Sequence, residues 1–405
     1  MGLQLRDVVE ADLPAMLSLR NRAFGPLGTS TTDWWGRVAA ETLGGRWLAV
    51  VDDDGAGDLV GAGRIRPYEQ VWGGRPLPMG GVAGVYVEPS ARGRGVATTL
   101  TRGLITRMGE LGDVVSCLYP TTVSLYRRSG YELGGVQQRT TYAGPTLRGI
   151  GSLPDDHRPR RARTEDAETI VRLVLDDAAR HHRSGPMPPS VGALRGAIER
   201  DEVVTYLLPD GVVIYDHGDD ALTVEHLAAA SPETARALWG LVGSGSSAAP
   251  TVHTYLDPRD PLALVLAGLP TTQVRQVPWM ARVIDLGAAF AGRGQPVHLT
   301  AEVGLVVDDA EAPANAGRWT LSVAGGAGTA SRGDDGDSAD REDSASREDS
   351  AEGSARVGAR GLAALWCGWS TSRLRIAGLL TGGTPDDDAA LDAVFAATPH
   401  LTEYF

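Results

Sequence analysis

Val82-Ala83-Gly84-Val85-Tyr86-Val87-Glu88-Pro89-Ser90-Ala91-Arg92-Gly93-Arg94-Gly95-Val96-Ala97 is the stretch that decides how the chain is read. Small and β-branched residues over 82–87 alternate as in a strand, Pro89 and Ser90 close it, and a helical pattern opens at Val96. Val96, Leu100, Leu104, Met108 and Leu111 fall three or four apart, with Thr98, Arg102 and Arg107 between them, so this helix is amphipathic. Gly93 and Gly95 stand just before its N-terminus. The free N–H groups of a first helical turn, at the positive end of the helix dipole, form an anion site. Glycine there lets the backbone approach a phosphate closely or take a positive φ, and Arg92 and Arg94 add charge. A glycine-rich loop by itself is equally an ordinary tight turn. The stretch is neither a G-x-G-x-x-G dinucleotide fingerprint nor a P-loop, and the chain contains no lysine at all.

The spacing Arg92-x-x-Gly95-x-Ala97 after a strand resembles the pyrophosphate loop of the Gcn5-related N-acetyltransferases (GNAT), whose pattern is Gln or Arg, two residues, Gly, one residue, Gly or Ala. About thirty residues on, the strand Asp113–Tyr119 closes at Pro120 and is followed by Thr121-Thr122-Val123-Ser124-Leu125-Tyr126-Arg127-Arg128-Ser129-Gly130-Tyr131. A short helix bearing a tyrosine, then Gly-Tyr, is the other mark of that superfamily. Two strands parting at 85–87 and 117–120 leave a cleft whose unpaired main-chain groups can pair with an extended pantetheine arm. Tyr126 is read as part of that site or as a packing residue.

Length and composition bound the rest. A chain of 405 residues calls for two to three domains. The formal net charge of −13 argues against a nucleic-acid partner, which needs a basic face, and suits a cationic substrate. No apolar run approaches the length of a membrane span and no basic, then apolar, leader opens the chain, so a cytoplasmic protein is expected. Cys117 and Cys367 lie in apolar runs read as strands and are expected to be packing thiols. Adjacent His181 and His182 lack a nearby third ligand, so no metal is expected.

Taken in order, 3–6 is a strand and 12–24 a helix, after which 24–35 is turn-rich. In the GNAT fold that region covers the acceptor, so Trp34 and Trp35 either wall the acceptor pocket or anchor a helix. Strands at 46–51 and 59–65 form a hairpin, and 71–79 reads as a turn. Arg161 to Leu173 echoes the chain's own start, with Thr164 as helix N-cap. Strands follow at 203–208, 211–215 and 222–227. Where a phosphate loop would come, Ala230-Ser231-Pro232-Glu233-Thr234 offers no glycine and a repelling acid. This second GNAT-like fold is expected to be degenerate and to bind no cofactor. Pro278 to Leu286 opens the last part, with strands at 299–307 and 318–323, regular structure at 361–368 and 373–377, and a closing helix at 386–397. Residues 325–357 are polar low complexity, nine acids and four arginines falling within 331–356, and are expected to be a disordered insert. The last residues, Leu401 to Phe405, are mostly apolar, so they are expected to be tucked in.

With its two GNAT-like units, the Trp279-Met280-Ala281-Arg282-Val283-Ile284-Asp285 junction and its aromatic terminus, the chain, except for the inserted loop, resembles the Eis (enhanced intracellular survival) family of acetyltransferases. The fold class implied is α/β (α+β): a catalytic GNAT domain at 1–150, a degenerate one at 151–285, and a sterol-carrier-like domain at 286–405. The resemblance implies an acetyl-CoA-dependent N-acetyltransferase acting on primary amines, notably of aminoglycosides, by direct transfer in a ternary complex, and a homohexamer of two trimers. Carried over by residue, Val85, Tyr86 and Val87 meet the pantetheine, Arg92, Gly93, Arg94, Gly95, Val96 and Ala97 hold the pyrophosphate, and Thr121 and Thr122 meet the acetyl-CoA arm. Tyr126 is the proton donor to the leaving thiolate, and the C-terminal carboxylate of Phe405 is the proton acceptor. Glu403, with Trp34 and Trp35, is expected to contact the substrate. Alternatives are a protein or peptide lysine acetyltransferase, and a non-catalytic carrier of lipid or another hydrophobic ligand using the C-terminal domain.

Overall fold

A computed structural model describes residues 2–27, 35–37, 39, 42–52, 57–150, 158–218, 220–247, 249–333 and 353–405. Trp34 lies outside the described residues, as does 334–352, the centre of the expected insert.

The first unit runs β1 (Leu3–Asp7), α1 (Leu13–Phe24), β2 (Trp47–Asp52), β3 (Asp58–Trp72), β4 (Arg75–Val87), α2 (Val96–Glu110), β5 (Val115–Leu118), α3 (Val123–Arg128), β6 (Glu132–Ala143) and the single turn α4 (Gly144–Leu147). The second runs β7 (Arg160–Arg161), α5 (Ala167–Arg180), α6 (Val191–Glu199), β8 (Val204–Leu208), β9 (Gly211–His217), β10 (Ala221–Ala229), α7 (Pro232–Ser244), β11 (Thr251–Thr254), α8 (Pro261–Val265) and β12 (Thr271–Val283). Their openings repeat in detail. Arg6 grips Asp12 at 2.6 Å while the Val9 N–H donates to the same carboxylate. Arg160 grips Asp166 at 2.6 Å while the Arg163 N–H donates to it. Thr164, expected as the cap, turns its hydroxyl to Glu165, and Asp166 accepts the Arg163 N–H that the bend would otherwise orphan.

All twelve strands form one sheet, ordered β1-β2-β3-β4-β5-β12-β6-β11-β10-β9-β8-β7. The order is palindromic with the last strand of each unit exchanged. β12, from the second unit, pairs with β5 of the first (Met280 opposite Leu118), whereas β6, from the first, pairs with β11 of the second (Thr251 opposite Ala143). The two exchanged strands pair with each other along most of their length. Pro278 to Val283 therefore belongs to the centre of this sheet and does not open the last unit. Residues 71–79 also differ from expectation. β3 and β4 run on to Trp72 and from Arg75, and only Gly73 and Gly74, with φ of 57° and 83°, make the turn.

The third unit runs α9 (Leu286–Gly292), β13 (Ala301–Asp308), β14 (Gly317–Ala324), β15 (Ala327–Arg332), β16 (Arg356–Gly358), α10 (Ala359–Trp366), α11 (Thr371–Ile376), β17 (Leu380–Thr381) and α12 (Pro385–Val394), its sheet ordered β15-β14-β13-β16-β17. β15 occupies the start of the supposed insert. Gly325 and Gly326 turn the chain with positive φ, β14 supplies the backbone partner, and Gly328 lies against Phe290 of α9, so a neighbouring helix supplies apolar packing that its own polar sequence lacks. Cys367, read from sequence as strand, follows the last residue of α10, and both cysteines are buried and unpaired. One hydrophobic cluster joins Trp72, Met79, Trp279 and Val283 of the large sheet to Leu286, Leu305, Trp366 and Phe395 of the third unit. The two sheets share a core.

Candidate active site

β4 and β5 are parallel and pair over only three residues, Met79 with Val115, Gly80 with Ser116 and Gly81 with Cys117. Beyond that, β4 continues to Val87 paired with β3 alone, while β5 ends at Leu118. A bulge sits in the free part: Ala62 faces Tyr86 and Arg64 faces Ala83, leaving Gly84, at φ 58°, and Val85 opposite Gly63. Val85 and Val87 lie half-buried in this split. Tyr86 points the other way, buried and edge-on to Phe24 at 6.2 Å, so its backbone is the part that lies along the split.

The glycine turn follows. Gly93 and Gly95 have φ of 81° and 87°, Gly95 is the N-cap of α2 with no side-chain cap, and a Cβ at either glycine would meet open space. The first-turn N–H groups and the room beside them suit a diphosphate. Arg92 is exposed, whereas Arg94 is drawn to Asp52 at 2.7 Å on the β2 side. The matching helix of the second unit offers fewer free donors: Ser231 caps α7 by accepting from the Thr234 N–H at 3.2 Å, and Pro232 has no N–H to offer.

Thr121 and Thr122 are exposed where β5 gives way to α3. Tyr126, on α3, is buried in the same cluster as Val82 and Leu118, the residues just past the last strand pair. Burial pushes its phenol up to about 12, so it stays protonated at neutral pH. Neighbouring contacts fix the helix that carries it. Ser129 bonds Thr101 of α2 at 2.8 Å, and Tyr131 bonds Ser116 of β5 at 2.8 Å. Gly130, at φ 82°, lies against the Arg282 guanidinium of β12, where a Cβ has no room. That contact explains the glycine of the Gly-Tyr pair.

The C-terminal segment reaches the same place. The Tyr119 hydroxyl donates to the Glu403 carbonyl at 2.6 Å, and the Phe405 ring packs on Tyr68 at 5.1 Å and Tyr119 at 5.6 Å. Phe405 also covers Gly81, the last paired residue of β4. The structure thus gathers Val85, Val87, Tyr126, Thr121, Thr122 and Phe405 around one split. Trp35 is not among them: it is 8% exposed and packs edge-on against Trp47 at 5.6 Å in the core beneath α1, the helix-anchoring alternative. Tyr68, Tyr119 and the Gly84 bulge were missed in the sequence. Gly84 lay inside the decisive stretch, while the two tyrosines carry no local signal.

Comparison with known proteins gives the class. Residues 4–134 and 191–283 each match a family model described as an acetyltransferase (GNAT) domain, and 286–402 match a sterol carrier protein domain. A GCN5-related N-acetyltransferase from Kribbella flavida is 40% identical, with a TM-score of 0.90, over 100% of this chain and 98% of that one. This chain belongs to the GCN5-related N-acetyltransferases: two such domains, then a sterol-carrier domain. N-acetyltransferase Eis of Mycobacterium tuberculosis is 28% identical over 365 residues, 80% of this chain and 84% of that protein. Eis1 from Mycobacterium abscessus shares the fold, with a TM-score of 0.70 at 20% identity over 100% of both chains. The protein is an acyltransferase, similar to the Eis proteins over most of its length, with acetyl-CoA as co-substrate, and it moves acetyl to an amine. Among the described residues no helix is long and apolar enough to cross a membrane.

Proposed function

We propose that the protein acetylates primary amines of a small polycationic acceptor of the aminoglycoside type, at more than one position, by direct transfer within a ternary complex. The split between β4 and β5, with Tyr126 and Phe405 at its mouth, is the observation that carries this reading. In it, the Phe405 carboxylate takes the proton of the ammonium, directly or through a water, freeing the nitrogen lone pair to attack. Main-chain N–H groups beside the Gly84 bulge receive the negative charge that develops on the carbonyl oxygen. Acetyl-CoA supplies the activated acyl group. As the C–N bond forms and the C–S bond breaks, the Tyr126 hydroxyl gives its proton to the sulfur, and the nitrogen loses its second proton through water, which reprotonates Tyr126, so the products are an amide and a free thiol. Glu403 contributes negative charge near the acceptor. The negative charge of the chain supports a cationic acceptor. Assembly as a homohexamer of two trimers comes with the Eis likeness and is checked by mass measurement in solution.

The test is free-thiol release from acetyl-CoA with aminoglycosides, polyamines and lysine peptides, comparing the intact protein with Tyr126→Phe and with Phe405 deleted. Tyr126→Phe is expected to lower kcat by about a hundredfold with the KM for acetyl-CoA little changed. Deletion of Phe405 is expected to act likewise. Turnover of lysine peptides alone would point to a protein acetyltransferase. Undiminished rates in both variants would end the assignment of the two roles.

A further inference from the structure

The second unit has a split of its own. β10 and β11 are parallel and pair from Ala221 with Thr251 to Val224 with Thr254, and there pairing stops while β10 runs on to Ala229. The bulge recurs as well: Val224 faces Tyr215 and His226 faces Ile214, leaving Glu225 as the extra residue. With the helix N-terminus capped by Ser231, this split stands beside fewer free donors than its counterpart.

The split is instead held by the chain itself. His226 and Tyr255 are the residues just past or beside the last pair on either side. His400 is buried and donates from Nε2 to the Tyr255 carbonyl at 2.7 Å, while its backbone N–H donates to Ser184 at 2.9 Å. Leu401 is fully buried, and the Gln137 amide donates to the Thr402 carbonyl at 3.1 Å. The Glu403 carboxylate accepts from His226 Nε2 at 3.3 Å. Two residues later, Phe405 lies on Gly81 at the mouth of the first split.

We propose that the split of the degenerate unit is a seat for the segment His400–Glu403, and that His226 is a positioning residue for acetyl transfer, acting through Glu403 to set where Phe405 stands. The inference rests on the reading of Phe405 as proton acceptor. It gives the second unit a task in the reaction: one split takes the acyl donor, and the other holds the group that activates the acceptor. A side chain that holds the base, not the donor, changes kcat and leaves acetyl-CoA binding alone.

The experiment uses the full-length chain with His226→Ala, His226→Gln, Glu403→Ala and the His226→Ala/Glu403→Ala pair. Steady-state kinetics are read beside hydrogen exchange of the C-terminal peptide. His226→Ala is expected to speed exchange at 400–405 and lower kcat roughly tenfold, with the KM for acetyl-CoA unchanged. The pair should be no worse than Glu403→Ala alone, because His226 acts only through that carboxylate. His226→Gln, which keeps a donor near the Nε2 position, should recover most of the rate. Glu403→Ala, at a half-exposed site, keeps the test open if His226→Ala does not fold. Unchanged exchange at 400–405 in His226→Ala and Glu403→Ala overturns the seat. Faster exchange with kcat intact overturns the positioning role. Either result can stand while Tyr126→Phe is slow, so it leaves the acetyltransferase reading in place. If Phe405 deletion costs no activity, that reading of the base fails, and exchange still decides the seat.

Discussion

Glu225 is a carboxylate with poor company. Burial pushes it up to about 7, His226 lowers it in part, and Glu403 and Asp216 raise it further. Its folded pKa thus lies above the ordinary glutamate value, so the native state binds a proton that the unfolded chain releases. For an acid shifted this way, stability falls as pH rises from about 4.5 to 7 and stays lower above that. Glu225→Gln removes the ionisation. It is expected to raise stability by about 1–3 kcal/mol at pH 8 and by little at pH 4, read as the midpoint of urea unfolding at the two pH values. Arg293 is the opposite case, a fully buried cation with no carboxylate within ion-pair distance among the described residues. Burial brings it down to about 10, still charged at neutral pH. Its guanidinium lies over the Trp366 ring at 5.0 Å and the Trp72 ring at 5.9 Å, and donates to the carbonyls of Trp366, Phe395 and Ala396 at the C-terminal ends of α10 and α12. It serves two helix ends with one planar fork, which lysine cannot copy. Arg293→Lys should cost about 2–4 kcal/mol in chemical unfolding, most of it from carbonyls left without donors.

At the scale of elements, what the sequence disclosed was local. The strand, glycine turn and helix of 82–110 could be read because alternation, a closing proline and helical spacing all lie within thirty residues. The echo of the chain's start at 161–173 was legible for the same reason, since each copy carries its own acids and apolar positions. The exchange of β6 and β12 was not, because nothing in Glu132–Ala143 or Thr271–Val283 states which edge each strand will meet. β15 escaped because Ala-Gly-Thr-Ala-Ser-Arg has almost no apolar face of its own. Of the site, the motif residues were legible, while Tyr119 and Tyr68 owe their place to a tail that folds back from the far end of the chain. The exchange has a direct test. A fragment of residues 1–150 lacks β12, so β5 is left with a bare edge and Met280, Ala281 and Val283 no longer cover it. The fragment is expected to lack cooperative thermal unfolding, and adding residues 151–405 as a separate chain should restore it.

Over the whole molecule, two halves that are alike in strand order have diverged in their openings to solvent. One keeps an uncapped helix start beside its split; the other has a serine across the helix start and the chain's own tail along the split. The third unit completes both halves. Its Asp309 meets Arg282 in a buried pair at 2.7 Å behind the helix of Tyr126, and its Arg360 grips Glu132 at 2.6 Å. Burial works against the charge of Glu132, yet Arg127, the Leu133 N–H and Arg360 together hold its carboxyl below the usual range. The sterol-carrier unit is thus bolted to the strands beside the helix of Tyr126 and shares a core with the large sheet.

The exchanged strand also sets a schedule. A chain growing on the ribosome releases β5 long before it releases Thr271–Val283, and at ordinary rates of translation the interval is on the order of ten seconds. Throughout it the outer edge of β5 is open to hydrogen bonding, a state that invites pairing with other nascent chains. Coverage of that edge comes only after the second unit has been made, so the two halves are tied to each other in time as well as in space.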